Sequence, residues 1–257
     1  MTSFQYNLED TYELLLVTPD DEQRIYEHMQ NFWGERHRLD LTKEWKANIL
    51  ETYKTTILKS SRDPLGDFII KLYDRRQAGI PFSMIELGCA NGTTLHYLKE
   101  KTDFTDIEFV GFEPYDLFVN DLRENFNNAK VIHGGAEDFL EADMSQYGEA
   151  PYSAFFAFKV FCMMPPRIAR ACIEKAATLT DNILLDEYIM NFSGALSQDT
   201  TVAFKYDEAV GQINFAHHFQ SYFQDIGFDV VDMGEVMNPL DSKKGWAIIH
   251  AKRRGIK

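Results

Sequence analysis

The stretch that most constrains what this chain can fold into is residues 84–92, Met-Ile-Glu-Leu-Gly-Cys-Ala-Asn-Gly. A short apolar run (Met84, Ile85, Leu87) closes in a turn of small residues. A helical pattern then begins, with Leu95, Tyr97 and Leu98 among polar positions. Strand, tight turn, helix is a geometry that presents backbone N–H groups and a positive helix end to a bound molecule. Glycine at both ends of the turn tolerates positive φ and lets a ligand approach the backbone closely. A second apolar run, Ile107 to Phe112, ends in Glu113. An acid at the tip of a second parallel strand is placed to hold a ribose diol. Turn and acid together point to an adenosine-containing ligand; the turn alone is equally read as the closure of a βα unit.

The dinucleotide fingerprint needs a third glycine for tight helix–strand packing. Here the order is Gly88-x-Ala90-x-Gly92, followed by Thr93, Thr94 and Leu95. Glu86, two residues before the first glycine, would repel a pyrophosphate but suits a positively charged amino-acid end. In these residues the chain resembles the class I (Rossmann-like) S-adenosylmethionine-dependent methyltransferases. Their first motif, acid-x-Gly-x-Gly/Ala-x-Gly, is matched by Glu86 to Gly92, and their strand-ending acid by Phe112-Glu113-Pro114. The resemblance covers residues 82–252. It implies S-adenosyl-L-methionine as cofactor and S-adenosyl-L-homocysteine as product, with Glu86, Gly88, Cys89, Ala90, Gly92, Glu113 and Pro114 at the cofactor.

The family's third motif falls at His133-Gly134-Gly135-Ala136-Glu137-Asp138-Phe139. Gly135 stands where the adenine-contacting acid is commonest, so the resemblance passes that role to Glu137 or Asp138, beside Ala136. Both acids equally suit the start of a helix, where carboxylates complement the dipole. Phe158 and Lys159 end a fourth strand, where the family places the methyl group. A lysine there is equally read as one that snorkels from a strand end.

Charge narrows the partners. The formal net charge is −14, and nucleic-acid binding needs a basic stripe that this chain lacks outside Lys252-Arg253-Arg254. Anionic membrane surfaces are disfavoured for the same reason. No run approaches the about 18 apolar residues of a membrane span, and the N-terminus lacks the basic and apolar blocks of a signal peptide. Cys89, Cys162 and Cys172 are odd in number and without metal spacing, so they read as reduced thiols of a cytoplasmic protein. The expected partner is a small-molecule acceptor, with no nucleic acid and no membrane; a homodimer is left open.

Two regions are expected. Residues 1–80 read as a helical lid or substrate region without strands. Asp20-Asp21-Glu22 opens one helix, residues 41–58 hold a second, 62–66 form a turn, and Phe68 to Tyr73 form another helix face. Residues 81–257 alternate strands and helices, which predicts an α/β fold: a seven-stranded, mostly parallel sheet with helices on both faces. Strands are expected near 83–88, 107–113, 130–133, 152–158, 182–189, 228–233 and 245–251. Helices are expected near 92–101, 115–127, 136–142, 166–179 and 214–226. The resemblance makes the last strand antiparallel. Residues 190–213 read as an inserted substrate loop.

Methyl transfer needs in-line positioning and, for a poor nucleophile, a base. Candidate catalytic residues are Glu187, at the end of the fifth strand, and His217 and His218, before the last helix, with His218 favoured. The alternatives are solvated or paired acids and a helix-start histidine that packs on the loop. No oxygen ligand follows the fourth strand, so no metal is expected. Aromatic and methionine residues, among them Tyr26, Trp33, Tyr53, Phe158, Phe161, Met163 and Met164, are candidates for an apolar lid; helical spacing of Trp33 and Trp45 equally reads as core packing. The expected reaction is methylation of a small molecule, on the oxygen of a sugar or natural-product hydroxyl. Amine N-methylation and a non-catalytic cofactor-holding protein are the alternatives.

Overall fold

The computed structural model describes residues 2–4, 14–37, 41–55, 63–75, 79–103, 106–187, 202–207, 212–233 and 247–255. Its centre is a seven-stranded sheet built from β3 (Phe82–Leu87), β4 (Ile107–Glu113), β5 (Lys130–His133), β6 (Ala154–Phe158), β7 (Asn182–Glu187), β10 (Phe228–Met233) and β11 (Ala247–Arg253). The spatial order is β10-β11-β7-β6-β3-β4-β5. β11 runs antiparallel to both neighbours, and the other pairs are parallel. All seven expected strands are present, and the last is antiparallel as the resemblance implied.

The order reverses at β3, whose neighbours are β4 on one side and β6 on the other. Open α/β sheets bind ligands in the crevice at such a switch point. The central strands are mostly apolar because both faces are covered, with acids such as Glu86 and Glu113 placed toward their carboxyl ends. Alternate residues sort to the two sides. Ile85, Leu87, Val110, Phe112, Phe155, Ala157, Ile183 and Leu185 share one core with helices Ala136–Glu141 (α6), Pro166–Leu179 (α7) and Phe219–Asp225 (α8). Met84, Phe109, Ala154, Phe156 and Leu184 share the other with helices Asp63–Asp74 (α3), Thr93–Lys101 (α4) and Asp116–Asn125 (α5).

The N-terminal region departs from expectation. Helices α1 (Pro19–Arg36) and α2 (Lys43–Lys54) form as predicted. Thr18 and Thr42 cap them by accepting from the N–H groups of Asp21 (3.3 Å) and Trp45 (3.2 Å), satisfying donors that a helix start leaves open. But residues 1–80 are not strand-free: β1 (Thr2–Phe4) and β2 (Leu14–Leu16) pair with each other, and β2 pairs with β8 (Val202–Asp207). With β9 (Gln212–Ala216) they make a second, four-stranded antiparallel sheet. The expected loop at 190–213 therefore contains strand 202–207 and the start of β9; residues 188–201 and 208–211 lie outside the described residues. Strand β9 also takes the first residues assigned to the last helix, which begins only at Phe219. Residues 63–66 of the expected turn are instead the first turn of α3, where a proline in second position removes no needed hydrogen bond; residue 62 lies outside the described residues.

Candidate functional site

The turn after β3 is held in left-handed backbone at Gly88 (φ +67°), Ala90 (φ +46°) and Gly92 (φ +82°). A Cβ on Gly88 would meet Val160 Cγ2 at 2.3 Å, so glycine is needed there for both conformation and space. The turn's N–H groups are mostly engaged within the protein. Gly88 and Cys89 donate to the Phe112 carbonyl (2.8 and 3.2 Å), Gly92 to that of Cys89 (2.9 Å), and Ala90 to Glu113 Oε2 (2.8 Å). The turn thus offers shape and acids rather than the fan of free N–H donors that a phosphate requires.

Two carboxylates face each other across this turn. Glu86 is buried; its Oε1 accepts from the Thr94 hydroxyl at 3.0 Å, while Oε2 is buried with no partner among the described residues. Burial pushes its carboxyl up to about 8, against the Thr94 hydrogen bond, and the Glu113 charge adds to the rise. Glu113 accepts from the N–H groups of Ala90 and Tyr115 (3.1 Å), and burial again pushes its carboxyl up to about 8. An unpartnered buried carboxylate oxygen is costly in isolation and points to a cationic or donor group supplied by a ligand. Glu113 keeps further lone pairs on both oxygens for hydroxyl donors.

These groups line a cavity of about 560 Å³, within the range of small-molecule sites. Its floor is the strand ends: Glu86, Leu87, Gly88, Ala90, Glu113, Pro114, Gly135, Ala136, Glu137, Phe158 and Lys159. Lys159 has positive φ (58°), uncommon for a side-chain-bearing residue, and its N–H donates to the Asp186 carbonyl at 2.7 Å. The roof comes from α1 and α2, through Tyr26, Met29, Gln30, Trp33, His37 and Tyr53. The α2 end is moored to the turn by the Asn91 side-chain amide, which donates to the Leu50 carbonyl (2.9 Å), and the Thr93 hydroxyl, which donates to that of Tyr53 (2.9 Å). On the other side the Tyr26 hydroxyl donates to Glu137 Oε1 at 2.7 Å.

Of the expected cofactor residues, the structure brings Glu86, Gly88, Ala90, Glu113, Pro114, Ala136, Glu137, Phe158 and Lys159 to one cavity. Cys89 and Gly92 are not in its lining; the buried Cys89 side chain packs in the core beneath the turn, and Gly92 caps α4. The three candidate bases lie elsewhere. Glu187 is fully buried, and its carboxylate accepts from the N–H groups of Val160 (2.7 Å), Phe161 (2.8 Å) and Cys162 (3.1 Å). It therefore holds the turn after β6 and does not face an acceptor. His217 is buried, with Nε2 2.7 Å from the Phe161 carbonyl, and burial holds it down to about 4. His218 is the half-buried N-cap of α8. None of the three lines the cavity, and the strand β9 that precedes the histidines explains the displacement. Tyr188 lies outside the described residues. Among the described residues no group of three or more His, Cys, Asp or Glu is clustered as a metal site would need.

The sequence reading passed over His37. It is 6% exposed and surrounded by the rings of Trp33, Tyr53, Tyr115 and Phe118 at centroid distances of 5.4, 5.6, 5.0 and 4.7 Å. Only its spacing four residues after Trp33 on one helix face could have drawn attention to it.

No family model and no curated protein matches this sequence. Solved structures do resemble it in three dimensions. The N1-methyltransferase of 1,6-didemethyltoxoflavin from Burkholderia thailandensis, crystallised with that compound and S-adenosylhomocysteine, aligns with a TM-score of 0.57 at 11% identity, over 98% of this chain and 99% of that one. A Clostridium acetobutylicum S-adenosylmethionine-dependent methyltransferase aligns at 0.53 and 10% identity, over 81% and 99% of the two chains. Magnesium protoporphyrin IX methyltransferase from Synechocystis PCC 6803, with bound S-adenosylmethionine, aligns at 0.51 and 12%, over 92% and 98%. With the strand order, the antiparallel last strand and the acid-flanked turn, these likenesses show that the chain has the class I, Rossmann-like methyltransferase fold.

Proposed function

We propose that this protein is an S-adenosyl-L-methionine-dependent methyltransferase that acts on a small molecule and releases S-adenosyl-L-homocysteine. The observation that carries the reading is the pair Glu86 and Glu113. Glu86 Oε2, buried and without a partner at the cavity, suits the ammonium of an amino-acid end. Glu113, fixed by two backbone N–H groups, suits a ribose diol, and the engaged N–H groups of the turn leave little for a pyrophosphate. Glu137 and Ala136 flank the adenine end, and Phe158 and Lys159 the sulfonium end. Bound there, the sulfonium supplies an activated methyl group. The protein's part is to hold the acceptor in line and keep water out.

The acceptor atom is taken to be oxygen, on a natural-product or sugar hydroxyl, with helices α1 and α2 acting as a lid and the protein working as a cytoplasmic enzyme. N-methylation of an amine is a second reading, favoured by three carboxylates (Glu86, Glu113, Glu137) and several aromatic rings in one cavity. The test is calorimetric titration with S-adenosylhomocysteine, followed by transfer of a tritiated methyl group to a panel of sugars, phenols, carboxylates and amines. Failure to bind S-adenosylhomocysteine would refute the cofactor assignment. Binding without turnover on any acceptor class would instead favour a cofactor-holding protein that supports a partner.

A further inference from the structure

Helix α1 brings two unsatisfied ring nitrogens to the cavity. Trp33 Nε1 and His37 Nδ1 are both buried, and neither has a hydrogen-bond partner among the described residues. The residues are four apart, their rings stack at 5.4 Å and 17°, and both line the cavity. A buried indole N–H without an acceptor, or a buried imidazole nitrogen without a partner, costs free energy that a bound ligand can recover. Burial holds His37 down to about 4, so near neutral pH the imidazole is uncharged, with one donor and one acceptor nitrogen. Its Nε2 lies 3.5 Å from the Tyr53 hydroxyl, which leaves Nδ1 for the ligand.

The setting of these nitrogens fixes the kind of molecule they meet. Trp33 packs against the cluster of Ile25, Met29, Ala203 and Phe215, as does Met163 beyond the end of β6, while His37 sits against Tyr115, next to the ribose acid Glu113. The pair therefore meets the cavity beside the ribose end of the proposed cofactor. The pair is packed among rings: Phe32 lies edge-on to Trp33, and Tyr53, Tyr115 and Phe118 surround His37. A sugar, with hydroxyls on every edge, would lose water from most of them without replacement.

Resting on the methyltransferase reading, we propose that Trp33 and His37 form the acceptor-recognition wall, and that the acceptor is a flat, uncharged aromatic compound. A carbonyl-type oxygen on it accepts from the Trp33 N–H, and a hydroxyl or ring N–H donates to His37 Nδ1. The stacked pair thereby selects aromatic acceptors over the sugar alternative.

The test is calorimetry of the full chain with S-adenosylhomocysteine present, titrating 8-hydroxy-2-quinolone, methyl β-glucoside or tyramine. The quinolone is expected to bind, and the glucoside and tyramine are not. Trp33→Phe and His37→Phe keep a ring but remove the nitrogen, and each should weaken quinolone binding by about tenfold, as for a lost hydrogen bond to a buried group. His37→Asn, which keeps a polar side chain, should recover part of the loss. S-adenosylhomocysteine affinity in the same variants should stay within about twofold, the size of a perturbation that breaks no hydrogen bond. The inference is overturned if the quinolone does not bind, if the glucoside or tyramine binds in its place, or if both phenylalanine variants bind the quinolone as the wild type does. Wild-type protein that fails to bind S-adenosylhomocysteine overturns the methyltransferase reading, and this inference with it.

Discussion

Glu113, the last residue of β4, accepts a hydrogen bond from the backbone N–H of Ala90 at 2.8 Å, joining the end of one strand to the turn after its neighbour. The contact ties two parts of the cavity floor together, because Ala90 and Glu113 both line it. Substrate-sized ligands entering here meet a carboxylate whose position the backbone already fixes, so little ordering is left for binding to supply.

Glu113→Ala should weaken S-adenosylhomocysteine binding by at least about tenfold, the order expected when hydrogen bonds to a buried diol are lost. Calorimetry on wild type and variant checks this. Equal affinities would remove the ribose assignment.

The raised carboxyl of Glu86 makes cofactor binding proton-linked. Its ordinary value is 4.5 and burial carries it to about 8 in the free protein. The folded state therefore holds a proton that the unfolded chain has lost between those values. Its contribution to stability is full below about pH 4.5 and is lost as pH rises through about 8. A ligand ammonium beside Oε2 favours the ionised form, so binding at pH 7 should release protons and tighten as pH rises toward 8. Titrations in two buffers with different ionisation enthalpies measure this release, and Glu86→Gln should reduce it. Heats independent of buffer in the wild type would contradict the assignment.

Glu187 is predicted to be structural. Glu187→Ala strands the N–H groups of Val160, Phe161 and Cys162 and should cost about 3 kcal/mol by urea unfolding. A loss below about 0.5 kcal/mol, the scatter of ordinary surface changes, would show that the turn after β6 stands without it.

His217 and His218 do not line the cavity, so His218→Ala should keep turnover within about twofold, too small a change for the loss of a base worth about 100-fold or more. A drop of that larger size would restore a histidine base and require the loop before α8 to move into the cleft.

Gly88→Ala should destabilise by about 2 kcal/mol, through a Cβ 2.3 Å from Val160 and a left-handed φ of +67°. Thermal unfolding reads it directly, and an unchanged melting temperature would mean that Val160 can yield without cost.

The sheet and its floor acids were legible because each has a local signature. A strand buried on both faces must be a short apolar run, and a turn that reverses at such a strand must use small residues. Phe155-Phe156 and Gly88 to Gly92 could hardly be read otherwise. Glu86 and Glu113 were legible for the same reason: their place at strand ends follows from position in the chain. The second sheet was not. Leu14–Leu16 pairs with residues 202–204, and a three-residue strand that depends on a partner so far along the chain carries no periodicity of its own.

The site divides along the same line. By itself the sequence determined the Rossmann-like core, the acid-flanked turn and the strand ends that floor the cavity, since these are properties of short contiguous segments. Only the tertiary structure decided what covers that floor. It turned Glu187 inward onto three backbone N–H groups, set His217 on the Phe161 carbonyl and His218 at the start of α8, and laid α1 over the cleft so that Trp33 and His37 meet the cavity. A side chain's partner depends on which elements pack against its own, and that is set by the whole core, not by neighbours in sequence.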